Sequence, residues 1–239
     1  MAVESADRFL GVLPAAAAAQ PATSVERYTE TTASADGIGK RYMGREIAAV
    51  MGWQGAAWLE RAEREREERT DILLKALDLT PGMTVADIGA GTGYLSRRIA
   101  AAIAPGAKVL AVDVQPEMIR MLTALATQPG LENIEPRLGA NDDVKLPDAS
   151  VDLAIMVDVY HELEFPYEVL GSIVRALKPG GNVAFVEYRA EDPNVPIKQV
   201  HEMSVAQIKR EAGAHPELIW VRTVRNLPWQ HIVVFAKSR

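Results

Sequence analysis

The stretch Val85-Ala-Asp-Ile-Gly-Ala-Gly-Thr-Gly93 is an apolar strand running into a turn with three glycines, and 20 residues after Gly93 stands Asp113, at the end of a second apolar strand. Glycines at 89, 91 and 93 permit positive φ and let a ligand approach main-chain atoms with no Cβ in the way. A carboxylate at the end of the next strand falls where a ribose diol offers two hydroxyl donors. A tight strand-to-helix turn in an unrelated α/β protein also uses glycines, so the reading as a nucleotide pocket leans on Asp113 and on the segments further along the chain. The spacing distinguishes two kinds of pocket. A dinucleotide fingerprint G-x-G-x-x-G needs glycine at position 94, where this chain has Tyr94, and it seats a pyrophosphate on the following helix. The pattern here is G-x-G-x-G.

From Met83 onward strand and helix signals alternate, as in a parallel sheet covered on both faces. Strands are expected at Thr84 to Ile88, Lys108 to Asp113, Ile134 to Leu138, Val151 to Val157 and Asn182 to Glu187, and the fourth is apolar enough to be buried on both faces. Helices are expected from about Tyr94 to Ala102, from Pro116, and from Pro166 to the Pro179-Gly-Gly181 stop. A short helix near Ser204 to Glu211 precedes two apolar runs, Leu218 to Val224 and Trp229 to Ala236, joined only by Arg225-Asn-Leu-Pro228. A connection that short joins antiparallel neighbours and cannot make a parallel crossover.

Ahead of the sheet, residues 1–40 lack sustained periodicity and read as a flexible extension. Residues 41–80 read as a helical lid, with Met43, Ile47, Val50 and Met51 at near-helical spacing and Trp53 and Trp58 close behind. The run Glu60-Arg-Ala-Glu-Arg-Glu-Arg-Glu-Glu-Arg69 reads as a solvated helix face, its pairs worth a few tenths of a kcal/mol each. Residues 81–239 form the main domain. The chain's 239 residues suit one such domain with an extension.

A net charge of −6 argues against broad attraction to nucleic acid, so a small or neutral substrate is the expected partner. With no cysteine there is no disulfide, thiolate nucleophile or cysteine-bound zinc, and the four histidines lack H-E-x-x-H spacing, so no metal is expected. No apolar run approaches the roughly 20 residues of a membrane span. Phe9 to Gln20 has the length of a signal-peptide core, but Glu4 and Asp7 outweigh Arg8 before it, so a cytoplasmic location is expected and export is the minority reading.

The glycine turn with its acid-ended second strand resembles motif I and post-I of the class I S-adenosylmethionine (SAM) methyltransferases, whose cofactor carries no phosphate. Four further stretches fit that family in order. Leu110-Ala-Val-Asp-Val-Gln115 resembles post-I, which implies that Asp113 takes the ribose hydroxyls and Val114 packs on adenine. Asn141-Asp-Asp-Val-Lys-Leu-Pro147 resembles a Gly-Asp-x-x-x-Leu-Pro segment, which implies Asp142 as partner of the adenine amine, with Asp143 in reserve and Asn141 at the family's glycine position. Asp152 to His161 resembles the segment before the reaction centre, and Leu177-Lys-Pro-Gly-Gly181 the loop before the fifth strand. The resemblance covers about residues 80 to 190 and looks most like methyltransferase domains of ubiquinone and menaquinone biosynthesis. It implies an α/β fold: a seven-stranded mostly parallel sheet with helices on both faces and a C-terminal antiparallel hairpin, after an N-terminal helical extension.

The implied cofactor is S-adenosyl-L-methionine, held by Asp87, Gly89, Ala90, Gly91, Gly93, Asp113, Val114, Asp142 or Asp143, and Asp158. The implied reaction is methyl transfer to oxygen, nitrogen or an activated carbon of a small molecule. The Asn/Asp-Pro-Pro-aromatic motif common in enzymes that methylate base amines is replaced here by Asp158-Val-Tyr-His161. His161 and Tyr160 are the catalytic candidates, because their segment leaves the carboxyl end of the fourth strand beside the glycine turn and a histidine titrates near neutrality. The bland alternative is that His161 caps the loop. His201, His215 and His231 read as surface or packing residues. Tyr188 and Glu187 face the same cleft, and Glu191 to Ile197 is a second candidate wall. Rival functions are a SAM-fold enzyme using bound SAM structurally, a nicotinamide-dependent reductase, and a SAM-binding regulatory partner.

Overall fold

In the computed structural model, which describes residues 27–239, the chain enters through a small antiparallel sheet of β1 (Tyr28–Glu30), β2 (Gly37–Tyr42) and β3 (Arg45–Ala48). Two sequence expectations change here. The boundary at residue 40 falls inside β2, and the helix expected from Tyr42 is a hairpin as far as Ala48. Its turn, Met43-Gly44, has positive φ at both positions (47° and 90°), the geometry that matches the twist of paired strands. Turn chemistry therefore overrides the near-helical spacing of the apolar residues, and Ile47 and Ala48 are buried through the hairpin instead. The signal-like segment, Phe9 to Gln20, lies outside the described residues.

Helical structure in the extension is short: α1 (Ala56–Leu59), α2 (Arg64–Glu68) and α3 (Thr70–Ala76). The charged run is not one solvated helix. Arg69 takes a left-handed conformation between α2 and α3, and Arg64 and Glu68 are buried.

The main domain then follows as β4 (Thr84–Ile88), α4 (Ser96–Ile103), β5 (Lys108–Asp113), α5 (Pro116–Ala126), β6 (Ile134–Leu138), β7 (Val151–Val157), α6 (Pro166–Ala176), β8 (Leu177–Arg189), the two-residue β9 (Glu202–Met203), α7 (Val205–Ala212), β10 (Leu218–Val224) and β11 (Gln230–Lys237). Along the sheet the order is β10-β11-β8-β7-β4-β5-β6, with β9 beside β8. The strands from β6 to β8 run parallel, and β11 and β10 close the sheet antiparallel, as the short connection between them requires. Strand β8 begins before the Pro179-Gly-Gly181 stop, with a register shift that lets this loop bulge before pairing resumes at Asn182.

Side chains alternate along each central strand. Ala86, Ile88, Leu110, Val112, Ala154 and Met156 pack on one face with α6 and α7, while Val85, Val109, Ala111, Leu153 and Ile155 pack on the other with α3, α4 and α5. Burial on both faces is why these strands read as nearly continuous apolar runs. The chain proceeds from β4 outward to β6 and then returns to β7 on the other side of β4, so the strand order reverses between β4 and β7. Open α/β sheets bind ligands outside the carboxyl ends of the strands at such a reversal.

Candidate functional site

A cavity of about 540 Å³ opens at that reversal, lined from below by the glycine turn, Asp87, Asp113 and Asp158 and from above by the N-terminal segment. Asp113 ends β5, and both of its carboxylate oxygens accept main-chain bonds: Oδ2 from the Gly91 N–H and Oδ1 from the Gln115 N–H, each at 2.9 Å. Burial raises its pKa, and these amides partly offset the rise. Asp87 lies deeper. Its Oδ2 accepts a 2.6 Å bond from the Ser96 hydroxyl, and burial pushes the group up from 3.8 to about 6. Asp158, just past β7, has φ of 55°. Its Oδ2 accepts from Gln230 Nε2 at 2.7 Å, whereas the buried Oδ1 has no hydrogen-bond partner among the described residues. Burial first, then Glu68 and Glu187, hold its pKa well above the usual carboxylate range.

The glycines of the turn have separate duties. Gly89 and Gly91 border the cavity with φ of 70° and 56°, so a side chain there would be strained whatever the space. A Cβ at Gly91 would lie 2.7 Å from Leu59 Cδ1, because α1 folds down over the turn. Gly93 does not border the cavity; a Cβ there would lie 2.4 Å from Leu125 Cδ2, so this position serves the packing of α5. Ala90 and Val114 complete the wall, and Val114 is exposed toward it.

Asp142 and Asp143 do not reach the cavity. They belong to a turn closed by the Ala140 N–H to Asp143 carbonyl bond, and Asp143 is turned outward to bind Arg175 and the Lys145 N–H, leaving Ala140 and Asn141 on the wall. Tyr160 also departs from expectation. Its ring is fully buried edge-on against Phe185 in the core, on the far side of the loop from the cavity.

The lid is attached by polar bonds that local sequence does not announce. Gln115 Nε2 donates to the Met51 carbonyl at 3.0 Å and its Oε1 accepts from the Trp53 N–H at 2.7 Å, so the residue two past Asp113 ties the lid to the cofactor strand. Glu60 accepts from Thr92 Oγ1 at 2.6 Å and from Arg97. Arg64 pairs with Glu68 at 2.9 Å and borders the cavity, so part of the charged run lines the site. Trp58 lines the cavity, and Trp53 stays outside it as an exposed side chain.

His161 is buried at the other end of the cavity. Its Nδ1 lies 2.6 Å from Glu187 Oε2, and the other oxygen of Glu187 accepts the Tyr160 N–H at 2.9 Å. Burial works against the charged imidazole, but Glu187 and Glu162 outweigh it and push the group up to about 10. A ring that already holds its proton at neutral pH is a poor general base, which revises the role expected from an unperturbed histidine. His201 is not a surface or packing residue: it lines the cavity, with Nδ1 3.1 Å from His161 Nε2. Tyr188 and Ile197 close this end, so the β8 strand and the irregular stretch after it supply the wall anticipated there. His215 packs against Tyr167 and His231 is enclosed beside β8, as packing residues.

With this geometry in place, comparison with known proteins assigns the class. Residues 79–230 match the family model described as a methyltransferase domain, and the chain belongs to that family. Over 153 residues it is 33% identical to a malonyl-[acyl-carrier protein] O-methyltransferase of Methylococcus capsulatus, covering 63% of this chain and 53% of that protein. Over 114 residues it is 34% identical to a demethylmenaquinone methyltransferase of Tropheryma whipplei, covering 48% of this chain and 45% of that one. The chain thus spans about half the length of these two relatives. The crystal structure of a SAM dependent methyltransferase from Aquifex aeolicus superposes with a TM-score of 0.73 at 24% identity, over 79% of this chain and all of that one. The expected fold, with its terminal antiparallel pair, is the one observed.

Proposed function

We propose that the chain transfers a methyl group from SAM to a small-molecule acceptor. One observation carries this reading: a carboxylate ending β5, Asp113, is tied to the glycine turn through the Gly91 amide, inside a cavity whose Asp158 Oδ1 is buried with no hydrogen-bond partner among the described residues. The donor set fits the cofactor. Asp113 keeps lone pairs free for ribose hydroxyls, Val114 offers an apolar face to adenine, and the carboxylates of Asp87 and Asp158 suit the ammonium of the methionine arm. The cavity volume falls within the roughly 300–1,000 Å³ of small-molecule sites. The reductase alternative gains no support, since at position 94 the Tyr94 ring packs beneath the guanidinium of Arg98, 3.7 Å away, instead of leaving a glycine-open approach for pyrophosphate.

When bound, SAM supplies a methyl group already activated by its sulfonium, so the chain's own task is placement. Fixed approach geometry contributes about 7–11 kcal/mol of barrier reduction in well-oriented reactions. Met51, Trp58 and Leu59 line the cavity on the side of the N-terminal segment, while His161, Glu162, Tyr188 and His201 border the end left for the acceptor. Incubation with methyl-labelled SAM and fractionated metabolite pools tests the reading. A product gaining one methyl group is expected; SAM binding by calorimetry with no transfer to any pool would favour structural use of SAM, and no SAM binding would refute both.

A further inference from the structure

The geometry points to a divalent transition-metal site at the acceptor end of the cavity, formed by His161 Nε2, His201 Nδ1 and Glu162 Oε1, and suited to Zn²⁺ or an ion of similar preference. These three atoms converge from segments 40 residues apart. The two ring nitrogens are 3.1 Å apart, and Glu162 Oε1 is 3.7 Å from His161 Nε2 and 3.9 Å from His201 Nδ1. The point in their plane that is equidistant from the three lies about 2.1 Å from each, which is the length of zinc–imidazole and zinc–carboxylate bonds.

The atoms behind the ligands strengthen the case. A metal-bound histidine generally presents its other ring nitrogen to a carboxylate or carbonyl, which fixes the ring and raises its basicity. His161 meets Glu187 in this way at 2.6 Å. Glu162 is oriented too: its Oε2 accepts the Met51 N–H at 3.2 Å, leaving Oε1 directed at the two rings. The carboxylates of Glu187 and Glu162 concentrate negative charge around His161, which a bound cation would offset in place of the Nε2 proton. Two imidazoles with one carboxylate favour zinc, iron, cobalt or nickel over magnesium or calcium, which prefer all-oxygen sites. Three protein ligands leave a further coordination position for an acceptor oxygen or a water, as in catalytic rather than structural zinc sites.

The donor set stands on its own distances; only its placement beside the acceptor rests on the methyl-transfer reading. The test is titration of the full chain, dialysed against chelator, with Zn²⁺ by calorimetry and with Co²⁺ by visible absorption, each followed by SAM titration of the same sample. One Zn²⁺ per chain is expected, with Co²⁺ bands typical of mixed nitrogen and oxygen ligation. His201→Ala and Glu162→Gln should each weaken Zn²⁺ binding at least tenfold, and Glu187→Gln by about 10–100-fold through the ring of His161. His201→Gln serves as a second variant should the alanine form unfold on heating below the wild type. Absence of stoichiometric Zn²⁺ binding, or binding that these variants leave unchanged, would overturn the site. SAM binding without Zn²⁺ binding would reject the metal site and keep the cofactor reading; Zn²⁺ binding at these residues without SAM binding would do the reverse.

Discussion

Replacing Asp87 by asparagine should make the ligand-free protein more stable and the SAM complex weaker. Asp87 is buried, and its pKa rises from 3.8 to about 6, chiefly because burial disfavours the carboxylate. A carboxyl group that binds its proton more tightly in the folded state contributes stability that is fully present below its unfolded pKa and is lost as pH rises through its folded value. The ionised group therefore costs the native state about 3 kcal/mol above pH 6, taking about 1.4 kcal/mol per pK unit. Asparagine avoids that cost and can still accept the Ser96 hydroxyl bond through its own oxygen. Arg64 loses an attractive charge but keeps Glu68, so the net gain should be about 1–3 kcal/mol. For a chain of this length that corresponds to a rise in Tm of roughly 2–12 °C. Thermal unfolding without SAM, followed by circular dichroism across pH, reads it directly: the two proteins should nearly coincide below pH 4, diverge between about pH 4 and 6, and keep a constant gap above that. A variant no more stable than wild type at pH 8, or a gain of equal size at pH 4, would refute the reasoning. Calorimetry at pH 8 should show the opposite sign for SAM, because the variant lacks a carboxylate for the ammonium.

Asp113→Ala should weaken SAM binding by one or two charge-assisted hydrogen bonds, about 1.5–3 kcal/mol each, and an unchanged calorimetric affinity would remove Asp113 from the pocket. Gln115→Ala cuts two bonds that tie Met51 and Trp53 to the residue after β5, each worth about 0.5–1.5 kcal/mol; limited proteolysis should then cleave faster between residues 49 and 60, and an unaltered cleavage rate would show that the Glu60 bonds to Thr92 and Arg97 and the Met51–Glu162 bond hold this segment without Gln115. His161→Ala should lower turnover far more than SAM affinity, since the ring borders the end of the cavity proposed for the acceptor, and a variant with wild-type turnover would reduce His161 to a packing residue.

The sheet was legible because its strands obey local rules. Lys108 to Asp113, Ile134 to Leu138, Val151 to Val157 and Leu218 to Val224 have the bounds their apolar runs imply, and prolines at 116 and 166 mark the starts of α5 and α6. The glycine turn and Asp113 were equally legible, since backbone permissiveness and strand-end position are properties of short segments. Tyr160 was misplaced because a loop leaving a strand alternates inward and outward within a residue, and nothing local distinguishes the side that faces Phe185. Asp142 and Asp143 were drawn from a motif whose glycine this chain lacks, and Arg175, on α6, decides where Asp143 points.

By itself, then, the sequence determined the strand order's raw material, the glycine turn at the cavity end of the sheet and the carboxylate that ends β5, because burial on two faces and glycine's freedom leave marks at fixed short spacing. Tertiary structure alone decided that a charged run would be folded down as a lid, that residues 28–48 would pair as strands, and that His201 would come within 3.1 Å of His161. Those outcomes depend on which surfaces meet after the chain has closed over itself, and contacts made across 40 residues or more impose no periodicity on the segments that make them.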